Sequence, residues 1–400
     1  MVNKKDDIRE KLSWRKLILP IIIGVGVSIY LMTTALSEPY FRKVEPHETP
    51  THAWLDGNQN GLLDKTDETD FNFDPEGSYV RKSSAEIIQE HDWNQGAIWA
   101  ITGALVMLLI RDLGYMYRIR VLTHKKLSWR ASFDVIMLWE FASALTPSIV
   151  GGAGIAIFIL SREGINLGRG TATVMVTALM DELFYILSVP ILFLIVGSAA
   201  LFPDSQAFQI FGMNSIIGIF IIAYLFFLCF TTSMIFALFL FPHGAKTLMV
   251  RLFSLKPLTR WKTRVEKWGD ELILSSEETK QEPFSWWAKA FGATILSWSA
   301  RFLTLNFILL AFVGGFDHFL AFGRQLVMWV IMLVSPTPGS SGVAELAFNE
   351  FFDYLLPPAF LAIAAITWRL LTYMPYLLAG SAVLPAWLKR TTKQRNTSKV

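Results

Sequence analysis

The sequence predicts an all-α polytopic membrane protein, with about six full transmembrane helices plus two re-entrant helical hairpins of opposite orientation. Three observations predict it. Only 17% of the 400 residues are charged, against about 25% in an average soluble domain. Apolar runs such as Leu17–Leu36, Ile216–Phe241 and Ala359–Leu384 reach the roughly 20 residues that cross a bilayer as helix. The Lys and Arg residues sit in blocks between such runs, as they do in membrane proteins whose cytoplasmic loops are positive. A soluble core hosts one run of this length, not half a dozen. The single cysteine, Cys229, excludes an intrachain disulfide and a cysteine-based metal site.

The elements follow in order. Residues 1–16 carry six Lys/Arg and form a cytoplasmic N-terminus. Residues 17–36 form the first span. Small residues at Ala35 and Ser37 also suit a cleavage site, but the apolar stretch exceeds the roughly 7–15 residues of a signal-peptide core, which favours an uncleaved anchor. Residues 38–92 are an exported acidic insertion with thirteen acids and five Lys/Arg. The membrane domain, 93–388, begins with a span at Trp93–Ile110, followed by a basic loop, Arg111–Arg130, with six Lys/Arg. Ala131–Leu160 is a broken apolar segment. Thr171–Val196 and Met213–Phe241 are spans, joined by Gly197–Gly212, which has no Lys or Arg. His243–Pro283 holds eight Lys/Arg with interleaved Trp261 and Trp268; it suits an amphipathic helix on an anionic leaflet better than a nucleic-acid surface. Ser285–Val313 is a span, Phe319–Leu355 is the second broken segment, and Pro357–Leu384 is the last span. The tail, 389–400, has five Lys/Arg.

Loop charge decides the topology. If each broken segment crossed once, the basic His243–Pro283 loop would lie outside and the uncharged Gly197–Gly212 loop inside, the reverse of the positive-inside rule. If each enters and leaves on one side, every strongly basic loop is cytoplasmic, and so are both termini. The location is then the inner (plasma) membrane, multi-pass. Length agrees: Ala131–Thr146 and Gly152–Leu160 rise about 24 and 14 Å as helix, short of a core of about 30 Å.

The first hairpin then opens from the cytoplasm and the second from outside, as in an inverted repeat. Their breaks align. Thr146-Pro147-Ser148-Ile149-Val150-Gly151-Gly152-Ala153-Gly154 matches Thr337-Pro338-Gly339-Ser340-Ser341-Gly342-Val343-Ala344-Glu345 at the Thr-Pro pair, one Gly and one Ala. Paired interrupted segments at corresponding positions point to a transporter site; two unrelated loops are the alternative. Ionisable residues within apolar segments, namely Glu140, Asp181, Glu182, Arg301, Glu345, Glu350 and Arg369, are costly and mark functional sites. Glu345 in the first turn of a helix beginning near Val343 is either a simple cap of the helix dipole or part of an anion site. Arg369 needs a partner, for which Glu345 and Asp181 are the candidates; the pair is a ligand site or a structural ion pair. Arg301 and Glu140 read as interhelical ties.

In the insertion, Asp56, Asn58, Asn60, Asp64 and Asp67, with the carbonyl of Leu62 and Gly61 at the turn, have the spacing of a calcium loop. An acidic, solvated Asn-Gly turn is the competing reading. No cofactor is expected in the membrane domain.

The segment Ser335-Pro336-Thr337-Pro338-Gly339-Ser340-Ser341-Gly342-Val343-Ala344-Glu345 resembles the signature of the flippase-like family named for the transmembrane region of lysylphosphatidylglycerol synthase. Pro336, Thr337, Pro338, Gly339, Gly342 and Glu345 match its Pro-Thr-Pro-Gly-Gly-x-Gly-x-x-Glu pattern; Ser340 replaces a glycine. Gly151, Gly152 and Gly164-Ile165-Asn166-Leu167-Gly168-Arg169 resemble its first-third break and link, and Arg369-Leu370-Leu371-Thr372-Tyr373-Met374-Pro375 its last span. The likeness covers roughly Trp93–Leu388; the insertion departs from it. The resemblance implies lipid translocation, without lysyl transfer, because the chain leaves no room for an aminoacyl-transferase domain.

The substrate-binding candidates are therefore Pro147, Gly151, Gly152, Asp181, Pro336, Thr337, Pro338, Gly339, Gly342, Glu345 and Arg369. Three functions fit: translocation of a phospholipid or lipid-linked anion, an intramembrane enzyme acting on a lipid phosphate through Glu345 or Asp181, and a membrane accessory or sensor protein. Partners are membrane lipids rather than nucleic acid, with a homo-oligomer or a membrane partner both open. Catalytic residues are not expected.

Overall fold

Helices dominate the structure, a computed structural model that describes residues 26, 29, 30, 33 and 39–397 apart from 46, 60–62, 64, 92, 146–148, 204–208, 211–212, 334–336, 338–339 and 341. The first span and the cytoplasmic N-terminus lie almost wholly outside the described residues.

The insertion at 38–92 carries a feature absent from an all-helical expectation. Strands β1 (Tyr40–Lys43), β2 (His52–Trp54), β3 (Phe71–Phe73) and β4 (Tyr79–Lys82) form an antiparallel sheet in the order β1-β4-β2-β3. Its core is aromatic: Phe41 stacks on Phe71 with ring centres 4.0 Å apart, and Tyr79 meets Phe71 edge-on. Helix α1 (Ser84–Glu90) follows, started by a capping box in which Ser83 and Glu86 satisfy each other's backbone N–H. It rests on a later helix of the membrane domain, where His91 meets Phe360 edge-on.

The membrane domain begins with α2 (Gln95–Leu122), a 28-residue helix. This corrects the expected short span and basic loop. Arg111, Arg118 and Arg120 lie within the helix, and Arg111 is only 1% exposed. Helices α3 (Trp129–Leu145) and α4 (Ile149–Arg162) are the two arms of the first broken segment. At 17 and 14 residues they rise about 25 and 21 Å, too short to span alone. They pack closely because Gly152 is a glycine: a Cβ there would lie 2.4 Å from Ser143 Oγ on the other arm.

Helix α5 (Leu167–Val196) follows, N-capped by Asn166, whose side chain accepts from Arg169 N at 2.7 Å. A short ribbon, β5 (Gln209–Ile210) with β6 (Met213–Asn214), leads into α6 (Ser215–Ile235), which continues as a π-helical stretch over Phe236–Leu240. Helices α7 (Pro242–Leu252) and α8 (Lys262–Thr279) replace the single surface helix expected from the basic segment. They pack on each other, and α8 packs on α5.

The second half starts with α9 (Phe284–Phe312). It lies along α2 in the most extensive helix pair of the fold, where Ala97, Ala100 and Ala104 of α2 are buried in the same core as Trp298, Phe302, Leu305 and Leu309 of α9. Small residues let two membrane helices approach, so van der Waals contact replaces the missing hydrophobic drive. Helices α10 (His318–Leu333) and α11 (Val343–Phe352) are the arms of the second broken segment. The expected last span is not one helix. It breaks between α12 (Pro358–Thr372) and α13 (Met374–Thr397), because Pro375 has no N–H to donate and its ring excludes the carbonyl four residues back. Helix α13 continues through most of the expected tail.

Five stretches among the described residues are long and apolar enough to cross a membrane: Gln95–Leu122, Leu167–Val196, Ile216–Leu240, Phe284–Phe312 and Pro358–Thr392. The protein is an all-α polytopic membrane protein with a small β-sheet in its inserted segment.

Packing relates the two halves. The first arm of hairpin one, α3, packs on α13, which follows hairpin two. The first arm of hairpin two, α10, packs on α5, which follows hairpin one.

Candidate functional site

Described residues at or beside both breaks line one cavity of about 330 Å³. Ser143, Ala144 and Ala153 line it from the first hairpin; Met332, Thr337 and Ser340 line it from the second. The two interrupted segments, separate in sequence, therefore share a site.

Helix α11 starts at that wall. Gly342 has φ +86° and ψ −53°, a region closed to residues with a Cβ, so the motif's glycine is a steric requirement. Glu345, 2% exposed, reaches back: its Oε2 accepts from Gly342 N at 2.7 Å. Its Oε1 accepts from Arg369 Nε at 2.9 Å. One carboxylate thus caps the helix and pairs the buried arginine. The Arg369 guanidinium also lies over Tyr373 at 4.2 Å.

Asp181 is not the partner of Arg369. It is held by Arg118, whose Nη1 donates to Oδ1 at 2.5 Å and also to Thr294 Oγ1 at 3.0 Å. Trp298 Nε1 donates to the same Asp181 oxygen at 2.8 Å. The carboxylate thus joins α2, α5 and α9. Arg111 Nη2 donates to Glu140 Oε1 at 2.7 Å, and its guanidinium stacks on Tyr376 at 4.4 Å. The Tyr376 hydroxyl donates in turn to Asp112 at 3.0 Å. Glu140 is an interhelical tie, as expected.

Arg301 is not a tie of that kind. It lines the cavity, lies over the rings of Trp298 and Trp329 at 5.0 and 4.5 Å, and makes no hydrogen bond or ion pair among the described residues. Glu182 lines the same cavity and accepts from Thr231 Oγ1 at 2.6 Å.

Of the other candidates, Gly151 stands in the first turn of α4, behind the break. Pro147, Pro336, Pro338 and Gly339 lie outside the described residues. Glu350 lies on α11 but is not among the cavity-lining residues. Sequence reasoning missed Arg111 and Arg118 by counting them as loop charge. A usable signal was the unbroken helix-forming run from Gln95 to Leu122, which contains no proline.

The link Gly164–Arg169 is not among the cavity-lining residues. Arg169 pairs with Glu282 at 2.6 Å and Glu278 at 2.9 Å, tying α5 to the end of α8. Nearby, Arg390 pairs with Asp134 at 2.9 Å and with Glu163.

In the calcium-type loop, Asn60, Leu62 and Asp64 lie outside the described residues. Asp67 is engaged by its own chain: Oδ1 accepts from Thr69 N and Oγ1 at 2.9 and 2.7 Å, and Oδ2 from Asn58 Nδ2 at 3.0 Å. Asp56 has a positive φ of 50°, as a tight turn demands. No group of three or more His, Cys, Asp or Glu suited to a metal ion occurs among the described residues.

The family described as lysylphosphatidylglycerol synthase TM region matches residues 86–380. The chain belongs to that family. It is also similar to a UPF0104 membrane protein of Archaeoglobus fulgidus, 24% identical over 292 residues, which are 72% of this chain and 82% of that protein. No solved structure matches the chain. The matched region begins inside α1 and ends within α13, so the β-sheet stands outside it.

Proposed function

We propose that this protein translocates a phospholipid or another lipid-linked anion across the plasma membrane, without chemical change, with both termini cytoplasmic. One observation carries the reading: described residues at or beside both hairpin breaks and the arginine-bearing faces of α2, α9 and α12 line a single cavity within the membrane domain. A cavity with polar, charged walls gives a headgroup a path through hydrocarbon, and irregular backbone at membrane depth persists where it lines such a cavity. Aromatic side chains at its wall, among them Trp139, Trp298, Trp329 and Trp368, suit the glycerol and acyl portion of the same molecule. The enzymatic alternative has less support, because Glu345 and Asp181 are each occupied by an arginine. A general base is better served by a carboxylate free to take a proton.

Reconstitution tests the proposal. Fluorescent phosphatidylglycerol in proteoliposomes is expected to become accessible to an external quencher faster than in protein-free vesicles, and to be recovered unaltered by mass spectrometry. Recovery of a cleaved or acylated lipid would assign an enzyme instead. An unchanged rate would remove the transport reading.

A further inference from the structure

Arg118, Arg301 and Arg369 line the cavity alongside Glu140, Asp181 and Glu182, and of these arginines all but Arg301 have an acidic partner. Arg111 holds Glu140, Arg118 holds Asp181, and Arg369 holds Glu345. Arg301 holds none among the described residues. Its Nε is buried without an acceptor, although a buried guanidinium ordinarily finds one. Glu140 is within electrostatic reach of Arg301, but the hydrogen bond to its carboxylate comes from Arg111.

Position makes this costly. Arg301 is the eighteenth residue of a 29-residue helix, about 26 Å from one end and 17 Å from the other. A charge that deep is maintained where it serves a ligand or a pathway. Its direct contacts among the described residues are with aromatic faces. Trp298 precedes it by one turn on α9, and Trp329 comes across from α10. Two indole faces stabilise a cation while leaving its N–H edges without acceptors.

A second donor stands beside it. The ring of Tyr185 on α5 meets Trp298 edge-on at 5.0 Å, and its buried hydroxyl has no hydrogen-bond partner among the described residues. Two donors without acceptors thus flank one indole, in a cavity whose carboxylates are otherwise engaged. The missing component is an anion rich in acceptor oxygens.

We propose that Arg301, between Trp298 and Trp329 and with Tyr185 beside it, is the seat of a phosphate group, which we assign to the headgroup of a membrane lipid. This rests on the translocation reading of the cavity and deepens it. It also moves the anion contact away from Arg369, whose guanidinium is already satisfied by Glu345. A guanidinium presents paired donors to phosphate oxygens in a fixed fork, and the tyrosine hydroxyl adds a third.

Binding by the detergent-solubilised full chain separates the outcomes. The probes are short-chain phosphatidic acid, the matching diacylglycerol without phosphate, and inorganic phosphate. Phosphatidic acid is expected to bind and diacylglycerol not to. Arg301→Gln is expected to weaken binding by about tenfold or more, Arg301→Lys to keep part of it, and Tyr185→Phe to lose a smaller factor. Equal binding of the two lipids, or wild-type affinity in a folded Arg301→Gln protein, would overturn the seat. Should Arg301→Gln fail to fold, wild-type affinity in both Arg301→Lys and Tyr185→Phe would do the same. Inorganic phosphate binding as tightly as phosphatidic acid, and depending on Arg301, would keep the seat but overturn the lipid assignment. Arg301-dependent binding without movement across vesicles refutes translocation and leaves the seat standing. Translocation at the wild-type rate in Arg301→Gln does the reverse.

Discussion

Arg369 donates to Glu345 at 2.9 Å while the other oxygen of Glu345 closes the helix start at Gly342. The two residues lie on different helices, 24 positions apart, and both are buried. Breaking such a pair from one side leaves a charge without its partner, at a cost of about 3–5 kcal/mol. Glu345→Gln and Arg369→Met are each expected to lower unfolding stability by that order in detergent titration. The double variant is expected to cost clearly less than the sum. Additive losses would show that the pair is not coupled.

Gly342→Ala tests the turn. At φ +86° an added Cβ is expected to cost about 1–2 kcal/mol. Thermal unfolding should move down accordingly, with Ala344→Gly serving as a nearby comparison in a helical conformation. An unshifted Tm for Gly342→Ala would mean that the turn accepts a side chain.

Opposed access is expected if the hairpins enter from different faces. In a Cys229→Ser background, Val150→Cys should react with an impermeant maleimide only from the cytoplasmic side and Ser340→Cys only from outside. Labelling of both from the same face would remove the inverted arrangement.

Acid should loosen the four-stranded sheet. Hydrogen bonds from Thr69, side chain first and then backbone, with that of Asn58, hold the Asp67 carboxyl below the usual carboxylate range. The backbone and side chain of Ser83 do the same for Glu86. A carboxyl depressed in the folded state contributes stability above its unfolded value of about 4 and loses it as pH falls through the folded value. Amide protection across β2, β3 and α1, corrected for intrinsic exchange, is expected to be level from about pH 7 to 5 and to fall below about 4. Level protection down to about pH 2 would mean these contacts do not hold the sheet.

Much of this molecule was legible from hydrophobicity, because long spans and short broken segments follow directly from how far a helix must reach through lipid. The motif around Thr337–Glu345 also led to the right wall of the cavity. What stayed hidden was tertiary. Arg111 and Arg118 look like loop charge because their partners, Glu140 and Asp181, are 29 and 63 residues away. Asp181 stood beside Glu345 as a candidate partner for Arg369 for the same reason, and packing decides for Glu345. The β-sheet was missed because its strands are only three or four residues long, too short for alternation to stand out in a polar segment. Arg301 read as a polar tie, whereas packing sets it over the rings of Trp298 and Trp329, a contact that no sequence spacing discloses.

The exchange of α3 and α10 between halves has a consequence for biogenesis. When the first half has left the ribosome, α3 still lacks α13, α5 lacks α10, and α2 lacks its main neighbour, α9. The guanidinium of Arg111 waits for the ring of Tyr376, more than 260 residues downstream. The early helices must therefore be tolerated by the insertion machinery with polar faces uncovered, and maturation awaits the end of synthesis. A chain ending between α6 and α9 would leave α2, α3 and α5 without these neighbours.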